Sequence, residues 1–172
     1  HLEDYSQRSY TLIDRNPLLI QIDTTEVISD SVLTRTLDTL IMRSQIMESF
    51  RDTLNIFYAK DSVKIIRGDF ASSNDLTIYY RDDDKIITYK PDQKSKQPIL
   101  WQQNSQLTGD SVTIYLREKQ ISLMDVDRNA FILSRHEIYT DRFDQTSGDR
   151  ISIHFDDKTI DNTEIFGSVY SI

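Results

Sequence analysis

The chain has 172 residues, enough to bury a core without disulfide or metal staples. Its 28 acidic residues against 20 basic ones give a formal charge of −8, which argues against nucleic acid as a general partner. The absence of cysteine excludes a disulfide framework and thiol catalysis, and fits a reducing cytosol and a disulfide-free periplasmic protein equally well.

The chain begins at His1, with no charged-then-apolar leader and no apolar run approaching the roughly 18 residues of a membrane helix. It reads as a mature or excised soluble piece, with any signal or anchor upstream. Residues 1–16 read as a polar, weakly ordered lead-in to one domain spanning 1–172. The next stretch is ambiguous. In "VLTRTLDTLIMRSQIMESFRDTLNIF", Leu33, Leu37, Leu40, Met47, Phe50 and Leu54 fall near helical spacing. Four threonines (Thr34, Thr36, Thr39, Thr53) and the lack of alanine favour strands instead.

From "AKDSVKIIRGDF" onward the strand signal strengthens. In "NDLTIYYRDDDKI", Leu76, Ile78 and Tyr80 alternate with Thr77 and Tyr79, and an acidic turn follows. "PDQKSKQP", bounded by Pro91 and Pro98, reads as a surface loop between strands. "GDSVTIYLREKQI" then puts Val112, Ile114 and Leu116 on one face and Ser111, Thr113 and Tyr115 on the other. "GDRISIHFDDKTI" repeats it, with Ile151, Ile153 and Phe155 against Arg150, Ser152 and His154. Gly109/Gly148, Asp110/Asp149, Ile114/Ile153, Lys119/Lys158 and Ile121/Ile160 fall at equal offsets. The unit is strand, charged turn, strand, then a second turn at "DRNAFIL" or "FGSVYSI". Such units cannot bury their apolar face alone, so they imply two sheets closing over a shared interior.

Sites for chemistry are weakly marked. Asp125, Asp127 and Asn129 match the first three ligand positions of a calcium loop. Ala130 stands where glycine is required and His136 where a bidentate glutamate is required, so a hairpin turn is the better reading. Asp82, Asp83 and Asp84 read as a solvated turn. His136 and His154 have no second histidine at ligand spacing. No nucleophile elbow, phosphate loop or Cys/His cluster is present. No cofactor and no metal site is expected. Trp101 reads as a core or groove-rim anchor.

Taken together, "VKIIRGDF", "PILWQQNSQLTGDSVTIYL", "DVDRNAFILSR" and "DRFDQTSGDRISIHFDDKTI" resemble the repeats of OstA-like proteins, the family of the lipopolysaccharide-transport protein LptA. The resemblance covers about residues 55–172. Its corner motif departs here to Asp61-Ser62-Val63, Arg128-Asn129-Ala130 and Gly167-Ser168-Val169. The family implies an all-β fold: repeated antiparallel strands forming a two-sheet β-jellyroll (β-taco), open at its ends. It further implies a non-enzymatic periplasmic module that holds lipopolysaccharide or another acylated lipid. Its partners would be other lipopolysaccharide-transport jellyroll proteins, or a second copy, joined by edge-strand addition. On that reading the in-facing residues Val63, Ile65, Leu76, Ile78, Tyr80, Val112, Ile114, Leu116, Ile151, Ile153 and Phe155 line the lipid groove. Lys64, Arg67 and Arg117 read as solvated face residues. Two other classes compete: a scaffolding envelope domain that associates edge to edge without lipid, and an enzyme on a jellyroll, which needs two converging carboxylates.

Overall fold

A computed structural model describes residues 9–29, 32–51, 55–136, 138–139, 141–156 and 159–172. The regular elements among them are all β-strands, in chain order β1 (Ser9–Ile13), β2 (Leu18–Ser29), β3 (Val32–Arg43), β4 (Ile46–Arg51), β5 (Ile56–Arg67), β6 (Phe70–Tyr80), β7 (Lys85–Tyr89), β8 (Ile99–Gln102), β9 (Ser105–Thr108), β10 (Ser111–Arg117), β11 (Gln120–Arg135), β12 (Phe143–Asp156), β13 (Thr159–Phe166) and β14 (Tyr170–Ser171). Every pairing is antiparallel; hairpins such as β2–β3, β5–β6 and β10–β11 join consecutive strands, while β1–β4, β3–β5, β6–β8, β7–β10, β9–β11 and β12–β14 pair strands further apart in the chain.

Two layers arise because the long strands fold over a line of corners and serve both. Sheet one runs β1, β4, the first half of β5, the second half of β6, β7, β10, the first half of β11, the second half of β12, and β13. Sheet two runs β2, β3, the second half of β5, the first half of β6, β8, β9, the second half of β11, the first half of β12, and β14. This is the all-β jellyroll that the sequence predicts.

The corners are cut by local backbone chemistry. In β5 the ladder steps from Lys60↔Leu76 to Val63↔Asn74, and in β11 from Asp127↔Arg150 to Ala130↔Gly148. Each step inserts an extra residue, and such a bulge bends and twists its strand. The residues inside have positive φ: Asp61 and Ser62 at 62° and 53°, Arg128 and Asn129 at 59° and 53°. Asp and Asn tolerate that region better than most side chains. Gly167, at 87°, turns the chain between β13 and β14. The three altered corner motifs thus sit on the fold line.

Each repeated "GD" lies beside such a corner. A Cβ on Gly109 would stand 2.5 Å from Val126 Cγ1 and 3.3 Å from the Arg128 carbonyl; on Gly148 it would stand 2.9 Å from the Phe166 carbonyl. No side chain fits. The following aspartate ties the neighbouring corner down: the Asp110 carboxylate accepts from Gln97 Nε2 at 2.9 Å and Asn129 Nδ2 at 3.2 Å, and Asp149 Oδ2 accepts from Ser168 N at 3.3 Å. The Gln97 bond, with Asn129, Lys90 and Arg128, holds the Asp110 carboxyl below the usual carboxylate range.

Helical spacing loses to strand chemistry in residues 18–51, where β2, β3 and β4 form. The full β2–β3 register pairs Leu18 with Arg43 through to Ser29 with Val32, and on β3 Leu37 and Leu40, which helical spacing would bring together, fall on opposite faces. The expected lead-in divides. Residues 1–8 lie outside the described residues, whereas Ser9–Ile13 pair with β4, and Tyr10 packs on Phe50 with ring centroids 4.8 Å apart. The aromatic pair anchors a segment that composition alone reads as polar. The 91–98 stretch is indeed a loop between β7 and β8, turned by Asp92, which accepts from Lys94 N and Ser95 N, both at 2.8 Å.

Candidate functional site

The space between the sheets is unevenly filled. Toward the C-terminal end, Leu100 and Leu107 of sheet two interlock with Val112, Met124, Val126, Ile151 and Ile153 of sheet one, and all are at most 1% exposed. Toward the N-terminal end the layers stand apart and enclose an open groove of about 1090 Å³.

Two cross-strand rows face each other across it. On sheet one, Ser49, Phe57, Tyr79, Ile86 and Ile114 lie side by side on β4, β5, β6, β7 and β10. On sheet two the row is Gln21, Leu40, Arg67, Phe70 and Gln102. Deeper, near the fold line, Met42, Ile65, Ser72 and Leu100 form a second row. The floor and middle are mainly apolar. The rim, formed by strand ends and turns away from the fold line, is charged.

The rim arginines differ in their partners. Arg67 is neutralised within the groove, with Nε 2.8 Å from Asp38 Oδ2 and a terminal nitrogen 3.4 Å from Asp23 Oδ2. Among the described residues Arg81 donates only to neutral groups, Ser49 Oγ at 3.1 Å and Asn55 Oδ1 at 3.3 Å, with its guanidinium 5.6 Å from the centre of the Phe57 ring. Burial, and then the like charge of Arg51, press its pKa down. Burial and the Asp84 carboxylate, which accepts from the Tyr79 hydroxyl at 3.3 Å, hold the Tyr79 pKa up. Two buried polar atoms, Thr88 Oγ1 and Gln102 Oε1, have no hydrogen-bond partner among the described residues, and both side chains border the groove. Buried polar atoms are normally satisfied, so these are available to polar groups entering the groove.

The structure sorts the residues expected to line the groove into three sets. Ile65, Ile114, Leu116 and Phe155 border the open space. Val63, Val112, Ile151 and Ile153 face inward but are sealed into packed core at 0–1% exposure. Leu76, Ile78 and Tyr80 are on the outer face: Thr77 and Tyr79 border the groove, so their alternating neighbours point away, Ile78 beside Tyr58 and Ile87. Counted from Asp75, Asp110 and Asp149, the inward offsets agree in all three copies (Thr77, Val112 and Ile151, then Tyr79, Ile114 and Ile153), so in the first copy it is the more apolar face that points outward. The sequence favours its more apolar face for the interior, but a groove wall that packs against nothing tolerates Thr77 and the Tyr79 hydroxyl. Phe57, Ile86, Leu40 and Leu19 escape sequence reasoning although they line the groove. Pairing with the Ile114 face would have found Ile86 and Phe57 once strand order was known.

Other singled-out side chains have structural settings. Asp125 and Asp127 meet Arg150 at 2.9 and 3.7 Å, and Asn129 turns to Asp110, so the three do not converge. Asp82 accepts from Asn55 Nδ2 at 2.7 Å, and Asp83 pairs with Lys85 at 3.5 Å. His154 stands 3.9 Å from Glu164 on the wet face. His136 Nδ1 accepts from Ile138 N and Tyr139 N. Trp101 is neither core nor groove rim: it lies on the outer face of sheet two, 38% exposed, donating to Gln106 Oε1 at 3.1 Å.

No family profile and no curated protein sequence matches the chain. Among solved structures it is similar to LptH of Pseudomonas aeruginosa, described as the LptA-homologous periplasmic component of the conserved lipopolysaccharide transport device. The TM-score is 0.53 at 8% identity, over 91% of this chain and 94% of that one. The resemblance read from the repeats therefore holds at the level of fold.

Proposed function

We propose that the protein is a non-enzymatic, periplasmic lipid-holding module of the lipopolysaccharide-transport type, working in the envelope of a Gram-negative bacterium. The observation that carries this reading is the groove itself: about 1090 Å³ of space between two sheets, apolar at its floor and open at a charged rim, in a fold shared with a periplasmic transport component. Acyl chains lie between the sheets against Phe57, Leu40, Ile65, Ile86 and Ile114, while the head group stays at the rim. Each methylene so sheltered is worth about 0.8 kcal/mol, and no bond need be made or broken to load or release it.

The partners are other jellyroll transport proteins or a second copy, docked by strand addition. β1 and β2 at one end, β13 and β14 at the other, are the outermost strands of the two sheets, and each has one unpaired side among the described residues. On β2, Leu18, Ile20 and Ile22 are 55–62% exposed, an apolar edge that also suits a scaffolding role without lipid.

Native mass spectrometry of the purified protein, organic extraction of what it carries, and titration with lipopolysaccharide in detergent-free buffer test the proposal. The expected result is a stoichiometric acylated lipid. A clean apo mass with no uptake would leave the scaffold.

A further inference from the structure

The rim of the groove has an asymmetry that an uncharged passenger would not require. On sheet two the one arginine of the facing row, Arg67, is matched by two carboxylates. On sheet one, Arg81 and Arg51 both border the groove beside Ser49, and Arg81 has no carboxylate within ion-pair distance among the described residues. Its nearest acidic neighbour in sequence, Asp82, is held by Asn55 Nδ2 at 2.7 Å, and the same amide presents its oxygen to Arg81. Asn55 thus fixes the guanidinium toward the groove while keeping the carboxylate occupied. The Phe57 ring beneath supports the cation from its apolar side.

A guanidinium held by neutral acceptors keeps its charge and spare N–H groups, in the planar fork that matches phosphate oxygens. We infer that Arg81, with Arg51 beside it, is a head-group anchor for one phosphate of an acylated lipid whose chains run down past Phe57, Ile86 and Ile114. The inference rests on the lipid-holding reading above and adds the chemistry of the head. It also limits it: Asp23, Asp38, Asp69, Asp84 and Glu118 border the same groove, so the rim favours a single phosphate at this point over a densely anionic head. Burial, and then the like charge of Arg51, shift the Arg81 pKa downward, the direction that a facing anion would oppose.

The test is uptake of phosphatidylglycerol and of diacylglycerol, which has the same chains and no phosphate, from vesicles of neutral lipid into the full chain. Arg81→Gln keeps the side chain polar, and Lys64→Gln, an exposed residue of β5, matches it in net charge. The expected result is a phosphatidylglycerol preference of roughly tenfold, lost in Arg81→Gln and kept in Lys64→Gln, with diacylglycerol uptake the same in all three. Lipopolysaccharide offers the same phosphate chemistry. Competition with phosphatidylglycerol, weakened by the same factor in Arg81→Gln, would identify it as a source; absence of competition would leave the glycerophospholipid. Uptake of both lipids without preference, or a preference that survives Arg81→Gln, would overturn the anchor while sparing the groove. Uptake of neither would overturn the lipid-holding reading itself.

Discussion

The two ends of the molecule use one repeat for two purposes. In the C-terminal half, Val112, Met124, Val126, Ile151 and Ile153 of sheet one meet Leu100 and Leu107 of sheet two across the layers and exclude solvent. In the N-terminal half the inward positions include Ser49, Ser72, Thr77, Thr88, Gln21 and Asp38, too short or too polar to meet in the middle. The sheets are continuous, the corners are of one kind, and only the inward side chains change. A jellyroll becomes a container where its interior is under-filled, and the filled half holds the walls in position.

That contrast is most sharply broken by trading side chains between the halves. Ile151→Ala in the filled half should cost about 2–5 kcal/mol, read as a drop in thermal midpoint, because the residue is fully enclosed and leaves a cavity. Phe57→Ala removes more atoms but opens onto space that already exists, so its cost should be clearly smaller while lipid capture falls. Equal losses of stability would mean that the groove is a poorly packed core. Gly148→Ala comes next, at about 1–3 kcal/mol, since the new Cβ must push the Phe166 carbonyl of the β13 edge from 2.9 Å; denaturant midpoints measure it. Thr88→Val replaces a buried hydroxyl that has no partner among the described residues by an isosteric methyl, so a gain of up to about 1 kcal/mol is expected. A loss would show that the hydroxyl is bonded in solution.

The smallest effect concerns acid. The folded-state pKa of Asp110 lies below its unfolded value of about 3.9. Its stabilisation is therefore present in full above that value and is lost as pH falls through the lowered folded one. Asp110→Asn should flatten the decline of stability below about pH 4 and leave its slope at neutral pH unchanged. An unaltered acid limb would assign that decline to other carboxylates.

Much of this architecture is legible in the residues. Alternation identifies the strands, the equal offsets from Gly109 and Gly148 identify the hairpins, and the corner motifs mark where positive φ folds the sheet. The groove is less legible, because a closed core and an open wall write the same alternation. Leu76, Ile78 and Tyr80 show the difficulty: apolar residues outnumber polar ones on the outward face of β6, so the pattern names the wrong side. Only the pairing of Tyr79 with Ile86, and of Ile86 with Ile114, resolves it. Arg81 is equally hidden, since its significance lies in having no carboxylate partner among the described residues although its neighbours in sequence supply carboxylates abundantly.

The central claim is that acyl chains occupy the space between the sheets, and adjacent positions on one strand test it most directly. A photoreactive benzoyl-phenylalanine placed at Tyr79, which faces the groove, or at Tyr80, which faces away, is irradiated with lipopolysaccharide present. The account predicts a lipid adduct from position 79 and none from 80. Adducts of equal yield at both, or at 80 alone, would contradict it.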